Sequence, residues 1–164
     1  MSTSRKGGFT GERDTVSGDD MGVLDPDGRR HLVPPDERRR ILDRVRAVLE
    51  SDPDVIFAYA HGSCLEGRPC RDLDIAVYYR DGMEARDQLD ASLDLGARLA
   101  RVAGMPVDVH SLNLAPVEFR YHATRGVLLF AREREASFDF RERTWAQYFD
   151  LEPFLRDSLN DLLP

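Results

Sequence analysis

Two carboxylates, Asp72 and Asp74, occupy alternate positions at the head of an apolar run, and the apolar run before them closes on Gly62-Ser63. In an extended segment successive side chains point to opposite faces. Asp72, Asp74, Ala76 and Tyr78 therefore share one face, and Leu73, Ile75, Val77 and Tyr79 take the other, which is expected to be the core. Acids two residues apart in a strand have Cα atoms about 6–7 Å apart, close enough that their repulsion calls for a cation. An all-oxygen, carboxylate-rich site suits Mg²⁺ rather than Zn²⁺. Gly62 allows backbone to approach a phosphate, and Ser63 offers it a hydroxyl. The stretch thus reads as a phosphate site facing a metal site. Taken singly, Gly-Ser is an ordinary turn and Asp-x-Asp an ordinary strand edge; their union at this spacing between two apolar runs is the specific signal.

The elements that must position these groups follow from periodicity. Pro34-Pro35-Asp36-Glu37 opens a helix, with prolines and acids where the helix dipole favours them, and Ile41, Leu42, Val45, Val48 and Leu49 recur at helical spacing until Ser51-Asp52-Pro53. Strands are expected at Val55 to Ala60 and Leu73 to Tyr79, on either side of the loop. A second helix over about 83–102 places Leu89, Leu93, Leu95, Leu99 and Val102 on a broad face, with Gly104 as its C-cap. A third strand, 107–112, sets Val107 and Val109 opposite Asp108 and His110. A short helix near 116–124, a strand at 127–131 and a C-terminal helix carrying Trp145, Tyr148 and Phe149 complete the order. Pro153 is expected to kink or restart that last helix. Residues 1–22, nearly devoid of apolar side chains, read as a disordered tail, and Asp25-Pro26-Asp27-Gly28 as a tight turn within a small hairpin. Residues 23–164 are then one domain. Its fold class is α/β, in the α+β sense of a small mixed sheet whose helices cover one side and leave the acid-bearing face open.

At the Gly62-Ser63, spacer and Asp72-x-Asp74 residues the sequence resembles the DNA polymerase β-like nucleotidyltransferases in their smallest form. Residues 120–133 and 143–155 extend the likeness to MntA-type minimal nucleotidyltransferase antitoxins, so that it covers roughly Asp36 to Leu155. The resemblance implies a third acid on a later strand, which here is Asp108. The eight residues from Cys64 to Arg71 are fewer than many relatives carry between Gly-Ser and the first acid, so Arg68 and Arg71 inherit no role from the family.

The chain has 164 residues and a formal charge of −7. That length accommodates a single core, and the acidic balance argues against a large nucleic-acid footprint and against template-directed polymerisation. No signal-peptide core and no membrane-length apolar run is present, which points to a cytoplasmic protein. Cys64 and Cys70 match neither a CxxC redox pair nor a zinc-ligand set and are expected as reduced thiols. His61 and His110 read as packing residues, and Trp145, Tyr148 and Phe149 as core aromatics rather than a partner surface.

What the resemblance implies about function is specific. Asp72, Asp74 and Asp108 would bind Mg²⁺, two ions in such sites, and Gly62 and Ser63 would hold the phosphates of ATP. AMP would pass to a tyrosine of a HEPN-type ribonuclease toxin and silence it. The residues alone leave two other readings open: a module that neutralises such a toxin by contact, and transfer to a small-molecule hydroxyl as in aminoglycoside nucleotidyltransferases, which usually carry a further helical domain. None of His31, His61, His110 or His122 follows an Arg at HEPN spacing, so the toxin is expected to be a separate chain.

Overall fold

Proline at the first helical turn costs nothing, because the N–H it lacks has no intrahelical partner there. Pro35 accordingly starts α1 (Pro35–Ser51), with Asp36 and Glu37 in its first turn and Ile41, Val45 and Leu49 buried at a spacing of four. The computed structural model describes residue 30 and residues 32–160, with side chains as far as residue 154. The expected tail over residues 1–22 and turn at residues 25–28 lie outside the described residues. Pro53 ends α1, and the guanidinium of Arg132 donates to the carbonyls of Glu50, Asp52 and Val55, which the helix end and the following turn would otherwise leave bare.

Four strands then form one sheet. β1 (Val55–His61) runs antiparallel to β2 (Leu73–Tyr79), and β4 (Val127–Ala131) lies antiparallel on the other side of β1. β3 (Val107–Ser111) is parallel to β2, reached through the crossover helix α2 (Ala85–Ala103). The order across the sheet is β3-β2-β1-β4. Two registers matter for function: His61 pairs with Asp74, and Asp74 with Asp108.

The alternation expected of β2 holds. Leu73, Ile75, Val77 and Tyr79 enter the larger core with α1 and α2, while Ala76 and Tyr78 face the opposite side with Phe57 and Tyr59 of β1. The sequence led to the expectation that this second face is open, and the structure corrects it. α3 (Val117–Thr124) and α4 (Arg134–Asn160) cover the face, packing Ala123 and Phe140 against Phe57, Tyr59, Ala76 and Leu112. The reason is apolar area: Phe57 stacks on Tyr78 at 4.7 Å and meets Phe140 at 5.4 Å, and such rings favour a cover over water.

The helix expected over 83–102 forms, with Gly104 as a left-handed C-cap (φ 69), but its buried face is rotated from the apolar stripe. Gln88, Ser92, Leu95, Gly96, Leu99 and Ala103 are buried, whereas Leu89 and Leu93 are 57% and 76% exposed. Polar pairing decides the rotation. Gln88 donates to the Met83 carbonyl at 2.9 Å and accepts from Ser111 at 2.7 Å, and Ser92 meets the Tyr79 hydroxyl at 3.0 Å. Gln88, Ser92 and Ser111, all buried, thus have partners. α4 is continuous through Pro153 rather than restarted by it. Of its aromatics, Trp145 and Tyr148 are half-buried and Phe149 is 51% exposed, so the core reading fails for Phe149.

Candidate active site

The turn between β1 and β2 is built on glycine for two separate reasons. Gly62 has φ 84, a left-handed conformation that side chains other than glycine adopt at a cost of about 1–2 kcal/mol. A Cβ there would also collide with the Asp74 carboxylate. Gly62 therefore seats Asp74 as well as presenting bare backbone beside it, a role the sequence reading did not foresee. Its carbonyl accepts from Leu65 at 3.2 Å, and that of Ser63 from Arg68 at 3.1 Å, so the turn is internally bonded.

Cys64 and Cys70 are joined in a disulfide across this loop, with Cα atoms 5.2 Å apart, and the expectation of reduced thiols is corrected. Both sulfurs belong to the core under α1, so burial of the loop's two ends brings them together. Arg38 of α1 donates to the Cys64 carbonyl at 3.0 Å, tying the loop to the helix. Arg68 pairs with Glu66 at the surface, and Arg71 is exposed.

The three acids singled out from sequence converge at the β2–β3 end of the sheet. Asp72 and Asp74 are half-buried and Asp108 is exposed. Burial raises the pKa of Asp74 above its ordinary value, and the charges of Asp72 and then Asp108 raise it further, with His110 opposing them. A carboxylate pushed this way by two like neighbours is one that a cation would relieve. Among the described residues no group of three or more His, Cys, Asp or Glu side chains is placed to hold a metal ion. This donor set nonetheless fits Mg²⁺, which takes one or two protein carboxylates and completes its shell with water and substrate phosphate.

Sequence reasoning passed over the groups on the other side of Asp74. His61 and His110 both meet the edge of Phe119, at 5.4 and 5.1 Å. Burial, followed by the charges of His110 and His122, lowers the His61 pKa to about 4, so it is neutral at pH 7. Its buried Nε2 has no hydrogen-bond partner. Beyond His61 a cleft of about 490 Å³ opens between Gly62 and the α3–β4 turn, where His122, Arg125 and Gly126 line it. No local motif could have flagged these residues, because only the pairing of β4 with β1 brings them here.

Two comparisons bear on this arrangement. The family described as Polymerase beta, Nucleotidyltransferase matches residues 43–135, more than half of the chain and the whole of β1, the loop, β2 and β3. The chain belongs to this family. The four-stranded mixed sheet with two helices on each face is thus a nucleotidyltransferase fold of the α+β class, and Gly62, Ser63, Asp72, Asp74 and Asp108 all fall inside the matched span.

Among solved structures, the chain is similar to a chain of the complex of tri-AMPylated Shewanella oneidensis HEPN toxin with MNT antitoxin. The identity is 19% and the TM-score 0.61, covering 77% of this chain and 99% of that one. It is likewise similar to a chain of a toxin–antitoxin structure with AMP-PNP, at 21% identity and TM-score 0.62, covering 75% and 98%. A chain of the toxin–antitoxin MntA-HepT matches at 19% and 0.57, covering 80% and 100%. Identities this low carry the fold. No curated protein matches the sequence. Among the described residues no helix is long and apolar enough to cross a membrane.

Proposed function

We propose that this nucleotidyltransferase is an antitoxin that transfers AMP from ATP to a tyrosine of a cognate HEPN-type ribonuclease toxin, in the cytoplasm and with Mg²⁺. The observation that carries the reading is the convergence of Asp72, Asp74 and Asp108 beside Gly62, on a fold that 77% and 80% of this chain share with chains of MNT–HEPN toxin complexes.

In this reading Asp72 and Asp74 hold Mg²⁺, joined by Asp108, and Gly62 and Ser63 hold the triphosphate. Bound there, the metal supplies charge neutralisation for the phosphates and for the departing pyrophosphate. Asp108, the most exposed of the acids, faces the incoming acceptor and takes the tyrosine proton onto its carboxylate. The phenolic oxygen bonds to the α-phosphorus as the bond from that phosphorus to the bridging oxygen of the β-phosphate breaks. AMP remains on the tyrosine and pyrophosphate leaves. Asp74, seated against Gly62, keeps its carboxylate in one place throughout, which is where positioning contributes to rate. The chain has neither a P-loop nor a kinase lysine motif to direct the γ-phosphate.

Co-expression with a cognate HEPN-type toxin tests the proposal. Wild type is expected to restore growth and Asp74→Asn to fail, with both chains equally abundant. Growth restored equally by both would replace catalysis by simple contact.

A further inference from the structure

The cleft beyond Gly62 carries a second assignment, which rests on the reading of Gly62-Ser63 as the phosphate turn. We infer that Arg125, assisted by His122, binds the terminal phosphates of the nucleoside triphosphate and makes the site selective for a triphosphate over a monophosphate.

Across the strand ends the sheet runs β3-β2-β1-β4, so Asp108 and Asp74 lie at one side, Gly62 follows β1, and the turn of Arg125 and Gly126 precedes β4. Along this line the carboxylates of β2 and β3 give way to the Arg125 guanidinium, and the Glu66 carboxylate that also lines the cleft is paired with Arg68. A polyphosphate whose α-phosphate lies at the acids therefore has its remaining phosphates directed either to solvent or along β1 toward Arg125. The cleft of about 490 Å³ that joins Gly62 to Arg125 lies on the second route and falls in the size range of small-ligand sites, about 300–1,000 Å³.

The cation is also held in place. A Cβ on Gly126 would strike the Ala60 carbonyl, so the turn bearing Arg125 is pressed on the end of β1, two residues before Gly62. The guanidinium stands 5.7 Å over the Tyr121 ring, and Tyr121 in turn stacks on Tyr148 at 3.8 Å and meets Trp145 at 5.6 Å. No ion pair among the described residues engages Arg125. A guanidinium so braced, without a carboxylate of its own, is suited to a phosphate. His61, whose buried Nε2 has no hydrogen-bond partner among the described residues, lines the same cleft.

The test measures binding of ATP, AMP and inorganic tripolyphosphate to the full chain in Mg²⁺, for wild type, Arg125→Gln and Arg125→Lys, with thermal unfolding as the folding control. Loss of one charge-assisted contact is expected to weaken ATP and tripolyphosphate by about tenfold or more in Arg125→Gln. AMP affinity should stay the same, and Arg125→Lys should recover part of the loss. Unchanged ATP affinity in Arg125→Gln, or an equal loss for ATP and AMP, overturns the assignment while leaving the nucleotide site intact. Wild type that binds neither ATP nor tripolyphosphate overturns both.

Discussion

Asp74→Asn should make the metal-free protein more stable while abolishing its activity. Asp74 lies beside Asp108 in register across adjacent strands and shares a face with Asp72. Strand spacing and alternation put such carboxylates about 6 Å apart. Coulomb's law then gives ~0.7 kcal/mol per pair in a water-like medium and ~2.8 kcal/mol at the effective dielectric of a protein surface. Asp108 is exposed and its share is screened, so removing the Asp74 charge should stabilise the apo fold by about 1 kcal/mol, or roughly 2–4 °C in Tm for a chain of this size. The sign follows from the raised pKa. The folded state holds the Asp74 proton more tightly than the unfolded state, so the contribution is fully present below the unfolded value of 3.8. It is lost as pH rises through the folded value. Wild type loses this contribution as Asp74 ionises, and the Asn variant has no such charge to gain. Adding Mg²⁺ with a non-hydrolysable ATP analogue should reverse the ranking, because wild type gains about 2.7 kcal/mol at a hundredfold excess over Kd and the variant gains little. Paired thermal melts with and without the ligands provide the assay. An apo variant less stable than wild type, or one stabilised equally by Mg²⁺ and nucleotide, would refute the reasoning.

Gly62→Ala should reduce transfer far more than stability: the strained φ costs about 1–2 kcal/mol, whereas displacing Asp74 by ~1 Å is on the scale of a hundredfold rate loss. Comparing kcat with Tm separates the two. Gln88→Ala should destabilise by about 1–3 kcal/mol, since it leaves the Met83 carbonyl without the Gln88 amide and Ser111 with only the longer bond to Asn113, while Leu93→Ala, on the exposed side of α2, should stay within about 0.5 kcal/mol; urea titration measures both. Reducing the Cys64–Cys70 bridge should lower stability by about 2 kcal/mol at most, because the closed loop is short. A reducing agent that shifts Tm by more than ~8 °C would show a larger role for the bridge.

Much of this was legible in the sequence because it is local. Alternation fixed which side of β2 meets the core, and the Gly-Ser and Asp-x-Asp spacing singled out residues that the sheet then brings to one end. What escaped was decided by contacts distant in the chain. The rotation of α2 depends on Ser111 and Tyr79 meeting Gln88 and Ser92, so its apolar stripe misled. α3 and α4 cover the second face because Phe57 and Tyr78 stack there, a pairing between strands that neither strand announces alone. The disulfide depends on two loop ends sinking under α1, which residue spacing does not encode. His61, His122 and Arg125 share a cleft only once β4 has paired with β1.

The central claim is that AMP moves to a protein acceptor. Its most direct test is the intact mass of the HEPN partner after incubation with the purified chain, Mg²⁺ and ATP, followed by peptide mapping. The account predicts a gain of one or more adenylyl groups on tyrosine with wild type, retention of label from the α-phosphate only, and no gain with Asp74→Asn. A gain of phosphate, label retained from the γ-phosphate, or an unmodified partner still neutralised by both proteins would contradict it.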